Sequence, residues 1–148
     1  MKLQRSKVTC GPLAIVNAAR ALGIKLTERR VRAHTGTTKK DGTLEHGMKN
    51  ALERVGLYGG EMDLMSDGAF DALYSAVQGC PVILCVDNLS HWVVAIGVAG
   101  PRIITFDSEN SPENRAECGV DVWDSKGILD WWAHDNRCYG ILVRPDSL

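Results

Sequence analysis

The chain has 148 residues, of which 45% are hydrophobic and 24% charged, with a formal net charge of −1. A chain of this size and composition forms one globular domain around a single core, here expected over residues 1–148. The near-neutral total gives no support for a nucleic-acid or membrane surface. The apolar runs are strand-sized, and Met1-Lys2-Leu3-Gln4-Arg5 lacks the apolar stretch of a signal peptide.

Residues 10–22 read as a helix that is apolar around most of its circumference, and so as one buried on more than one side. Pro12 falls in the first turn, where its missing N–H does no harm, and Gly23 suits the C-terminal end. Thr27 is placed to cap a short helix over residues 28–34, with Glu28 at its positive end. Residues 36–43 read as a loop in which Asp41-Gly42 marks a turn and Thr43 serves as the next cap. Leu44, Met48, Ala51, Leu52 and Val55 then recur at helical spacing, and Gly56 ends that helix. Gly59-Gly60 reads as a turn. Ser66 or Asp67 caps a further helix through Val77.

From residue 81 the pattern changes to strands. Residues 81–86, 91–98 and 102–107 are apolar runs separated by turns at 87–90 and at Gly100-Pro101, which predicts an antiparallel meander. Residues 108–117 read as an exposed polar loop, residues 125–133 as a short helix, and residues 139–144 as a last strand. Helices first and strands later predict an α+β fold.

The five cysteines, Cys10, Cys80, Cys85, Cys118 and Cys138, are odd in number and include no Cys-x-x-Cys pair. Neither a disulfide framework nor a structural zinc site is expected, and the compartment implied is the reducing cytoplasm. Cys80 and Cys85 read as core residues. His34, His46 and His134 read as surface residues, so no metal or cofactor is expected. Arg29, Arg30 and Arg32 read as a solvated helix face. Lys39-Lys40 reads as solvated too, and for either run the grip of an acidic partner is the alternative.

Four residues stand out by order and setting. Cys10 opens a helix, where the dipole favours the thiolate that attacks a carbonyl. His91 starts a strand and Asp107 ends the next, so an antiparallel hairpin brings them together as cross-strand neighbours. His91 then serves as base and Asp107 holds its ring in the working tautomer. Gln4, six positions before Cys10, supplies a side-chain amide that with the Cys10 N–H can hold a developing oxyanion. Gly11 leaves room beside the sulfur for an extended substrate. Trp92 either packs in the core or walls the cleft.

Gln4-x5-Cys10-Gly11, His91-Trp92-Val93-Val94 and Asp107 together resemble the papain-like cysteine peptidases. The nearest branch is the bacteriocin-processing peptidases, which remove double-glycine leaders and occur as domains of peptide-exporting ABC transporters. Asp41-Gly42-Thr43 leading into a helix, then Gly56, is similar too. The resemblance implies a helix carrying the cysteine, a sheet carrying histidine and aspartate, and a site between them. It carries over to Cys10 as nucleophile, His91 as base, Asp107 as orienting residue and Gln4 as oxyanion donor, acting on a peptide or protein substrate. In that branch the aspartate is usually followed by proline and soon by glycine, whereas Ser108-Glu109-Asn110 follows here, and no transporter domains follow. Acyl transfer or deamidation by the same triad is a second reading. A catalytically silent peptide-binding module is a third.

Overall fold

The computed structural model describes residues 9–109 and 119–146. Three helices come first: α1 (Cys10–Ala21), α2 (Glu28–Thr35) and α3 (Glu45–Arg54). Strand β1 (Leu57–Met65) and helix α4 (Ser66–Ala76) lead to β2 (Val82–Val86), β3 (His91–Ala99) and β4 (Arg102–Phe106). β5 (Val120–Trp123), α5 (Ser125–Trp132) and β6 (Arg137–Pro145) complete the chain. The six strands form one sheet in the order β1-β6-β2-β3-β4-β5, and every pairing is antiparallel. The fold is α+β, as the sequence predicts.

Helices cover both faces of the sheet, which divides the core in two. On one face α1 packs against β3 and β2, burying Leu13, Val16 and Ala19 among Ile83, Val94 and Ile141. On the other, α4 and α5 cover Leu84, Val93 and Ile103 with Leu73, Ile128 and Trp132. β2, buried at every position, therefore reads as an unbroken apolar run rather than an alternating one. The first ten residues of α1 are all buried, which accounts for a helix without a polar face.

The ends of α1 and α2 follow local chemistry. Gly23 adopts φ 79° just past α1, and the Thr27 side chain accepts a hydrogen bond from the Arg30 N–H. Elsewhere the structure departs from the sequence reading. Gly59 and Gly60 are not a turn: they lie within β1, opposite Val143 and Leu142 of β6. A Cβ on Gly59 would come within 2.8 Å of Leu52 and 3.1 Å of Ile141, so the glycine lets α3 close on the sheet. Thr43 is not the cap of α3, which begins after Leu44. Neither Ser66 nor Asp67 caps α4; Met65 occupies that position, and Asp67 and Gly68 interrupt the helical dihedrals. Residues 120–123 form an unforeseen strand. Ser108 is buried, not exposed, and residues 110–117 of the expected loop lie outside the described residues.

Candidate active site

Cys10 is the first residue of α1, and the Leu13 N–H donates to the Thr9 carbonyl at 3.1 Å to start the helix. Its sulfur therefore stands at the positive end of the dipole, with no acidic residue in the first turn to offset it. Gly11 is buried, and a Cβ there would meet the Thr43 Cβ and Oγ1 at 2.6 Å. The glycine thus makes room for the Thr43 side chain. Gly11→Ala is expected to cost about 1–3 kcal/mol through overpacking and to push the residues before α3 away from Cys10, read by urea denaturation alongside turnover.

Thr43 is locked from its other side. Its Oγ1 is 2.5 Å from that of Thr37, which is 2.6 Å from that of Thr35, and its carbonyl accepts from the Trp92 indole N–H at 2.8 Å. Trp92 itself is buried and meets Tyr139 edge to face at 6.2 Å. It both packs in the core and lines a groove of about 280 Å³ that contains Cys10. The other lining comes from residues 39–44 and from Leu89 and Ser90.

The turn ahead of β3 has an unusual backbone. Asp87, Asn88 and Leu89 all lie in the left-handed region, with φ of 54°, 55° and 64°. Asp and Asn tolerate this conformation; a leucine pays about 1–2 kcal/mol for it. The turn is fixed by the Ser90 hydroxyl donating to the Asp87 carbonyl at 2.6 Å and by the Asp87 N–H donating to the Trp131 carbonyl at 3.0 Å. It sets Leu89, 47% exposed, on the groove two residues before His91. Leu89→Asn is expected to raise stability by about 1 kcal/mol while raising KM, a split that thermal denaturation and peptide kinetics would reveal together.

His91 Nε2 lies 2.7 Å from Asp107 Oδ1. The same carboxylate oxygen accepts the Glu109 N–H at 2.9 Å, and the Asp107 N–H donates to the Gly119 carbonyl at 2.9 Å, fixing the end of β4. Burial on its own would lower the proton affinity of His91. The hydrogen bond and charge of Asp107, together with the interaction with Cys10, outweigh it and raise the imidazole to about 10. With Nε2 engaged by Asp107, Nδ1 is the ring nitrogen left for the sulfur. The structure therefore brings three of the sequence candidates together, while Gln4 lies outside the described residues.

His91 and Asp107 are not directly opposed across the strands. The paired residues end at Val94↔Phe106, and an extra residue in β3 between Ala95 and Gly97 shifts the register. Continued past Phe106, that register sets Asp107 beside Val93, so His91 and Asp107 meet diagonally rather than directly across. Glu109 carries no signal in the sequence that marks it. Its carboxylate, His91 and Asp107 have ligand atoms within 4.8 Å of one another, but His91 and Asp107 are already bonded together.

Burial pushes the Cys85 thiol up to about 12, helped by the charge of Glu45 and by Cys10, and burial pushes Cys138 up to about 11. Cys80 is raised by partial burial, opposed by Arg144. No disulfide joins the described cysteines.

The fold is that of the papain-like C39 peptidase domains. The peptidase domain of Streptococcus ComA, a bifunctional ABC transporter involved in quorum sensing, superposes with a TM-score of 0.75 at 20% identity, over 97% of this chain and 96% of that one. A double-glycine-motif protease from an AMS/PCAT transporter, solved with its leader peptide, gives 0.74 at 17% identity over 97% and 89%. The N-terminal C39-like peptidase domain of a Vibrio parahaemolyticus toxin-secretion ATP-binding protein gives 0.59 at 15% over 96% and 98%. These neighbours come from the same branch as the sequence resemblance. No protein-family model matches the chain, and no curated protein matches it.

Proposed function

We propose that this protein is a cysteine peptidase in which Cys10 attacks, His91 transfers the proton and Asp107 orients His91. The observation that carries this is the 2.7 Å contact between His91 and Asp107, on a ring that also interacts with Cys10 at a helix N-terminus. The Cys10 sulfur adds to the carbonyl carbon of a peptide bond. The C–N bond then breaks as His91 gives its proton to the leaving nitrogen. Water adds to the thioester, His91 takes the water's proton, and the C–S bond breaks to release the new carboxylate. The Cys10 N–H and the Gln4 side chain serve as oxyanion donors, the typical worth of one such donor being ~100–1000-fold in rate.

The substrate is a peptide or protein segment that is extended, and small near the scissile bond. The leader peptide bound by a structural neighbour supports a peptide as occupant of the cleft. The chain acts as one peptidase domain, in a reducing compartment such as the cytoplasm. No helix among the described residues is long and apolar enough to cross a membrane.

Digestion of a proteome-derived peptide library in ¹⁸O-labelled water tests the reading. New C-termini carrying ¹⁸O are expected with the wild type and not with Cys10→Ala. Products joined to an added amine, or glutamines converted to glutamates without chain cleavage, would mark acyl transfer or deamidation. No product beyond the Cys10→Ala background would contradict the proposal.

A further inference from the structure

The near-neutral total conceals a segregation of charge. Residues 1–40 hold ten Lys and Arg against one acidic residue, and residues 41–148 hold seven against seventeen. In the fold, six of these ten are exposed between Lys25 and Lys40. Helix α2 buries only Val31 and Thr35, and Arg29, Arg30 and Arg32 project from the rest of it, with Lys25 just before. Gly36 and Thr37 then lead into the turn bridged between Thr38 and Gly42, with N–H···O bonds of 3.0 and 2.9 Å. Lys39 and Lys40 are exposed in that turn and line the groove that holds Cys10. The hydroxyl chain from Thr35 through Thr37 to Thr43 ties helix and turn into one unit.

None of these six basic side chains has an ion-pair partner among the described residues, whereas Lys49, Lys126 and Arg137 each have one. Asp41 is the acidic exception within the turn. Uncompensated like charges raise the energy of the free protein and lower it when an anion arrives. We infer that this strip receives an acidic segment of the peptide substrate, on one side of the scissile bond. The inference rests on the peptidase reading, because the strip begins in the groove of the proposed nucleophile. The acidic remainder of the surface repels the same segment, so the two parts orient the peptide as well as attract it.

The test uses two fluorescent peptide amides, hexaglutamate-Gly-Gly and its hexaglutamine twin. Binding is read by anisotropy, and alkylation of Cys10 by iodoacetamide is followed with and without peptide. The acidic peptide is expected to bind about 10-fold or more tighter than its twin at low salt, and to lose that advantage as salt rises. It is expected to slow alkylation of Cys10. Lys39→Glu/Lys40→Glu and Arg29→Glu/Arg32→Glu are each expected to remove most of the difference, with circular dichroism showing both variants folded.

Equal binding of the two peptides overturns the inference. So does acidic-peptide binding that leaves Cys10 unshielded or is indifferent to both charge reversals, as would capture of anionic vesicles in place of the peptide. Failure of the underlying peptidase reading appears separately, as slow alkylation of Cys10 in the control without peptide.

Discussion

His91→Ala is expected to lower peptide turnover by roughly 10⁴-fold or more at pH 7, with a small effect on KM. The loss is large because two functions vanish together: the partner of the Cys10 sulfur and the proton donor to the leaving nitrogen. Asp107→Asn should fall between, since an amide oxygen can still accept the imidazole and Glu109 N–H bonds but brings no charge. The same residues govern a pH effect on stability whose sign is fixed. The imidazole is raised to about 10 in the folded protein, against ~6.5 in an unfolded chain. Its contribution is therefore fully present below pH ~6.5 and is lost as pH rises through the folded value. Urea denaturation between pH 6 and 10 should show the wild type losing stability, and His91→Ala losing distinctly less.

The largest effect on stability is expected at Trp132. This side chain is 1% exposed within the core beneath α4 and α5, and its indole N–H donates to the Tyr139 carbonyl at 2.7 Å. Trp132→Ala is expected to cost about 3–5 kcal/mol through lost burial and the cavity left behind. That is a large share of the roughly 5–15 kcal/mol that holds a domain together. Trp132→Phe separates the two parts: most of the apolar volume stays, while the Tyr139 carbonyl loses its donor at about 1–3 kcal/mol. A shift in urea midpoint with unchanged slope would establish both values. Equal loss in the two variants would show that the hydrogen bond, not the volume, dominates.

What was legible in the sequence was what local chemistry decides. The extents of α1 and α2 follow from apolar spacing, Gly23 and the Thr27 cap, and the meander β2–β3–β4 from apolar runs between turns. The meeting of His91 with Asp107 followed from strand order alone. β1 was hidden because two of its residues are glycines that admit Leu52 and the Tyr58 ring. A glycine demanded by a distant neighbour looks the same in sequence as one demanded by a turn.

The cap at Thr43 was misread for a similar reason: its hydroxyl is used by Thr37, and its position by Gly11. The hairpin turns between Ala99 and Arg102, too late for a direct His91–Asp107 pairing, and the extra residue in β3, which leaves no local signal, brings the two back to a diagonal contact. Leu89 was missed because its left-handed backbone is imposed by the turn and runs against its own preference. Net charge conceals the segregation by averaging, since −1 is the sum of two strongly opposed segments.

The most direct measurement is intact-mass labelling with a small thiol electrophile across pH 5–9, on wild type, Cys10→Ala and His91→Ala. Fast labelling of a single thiol near pH 6 is expected, absent in Cys10→Ala and strongly slowed in His91→Ala, while Cys85 and Cys138 stay unlabelled. Labelling of Cys10 no faster than the other thiols, or unaffected by loss of His91, would contradict an activated Cys10–His91 pair and leave a peptide-binding domain without catalysis.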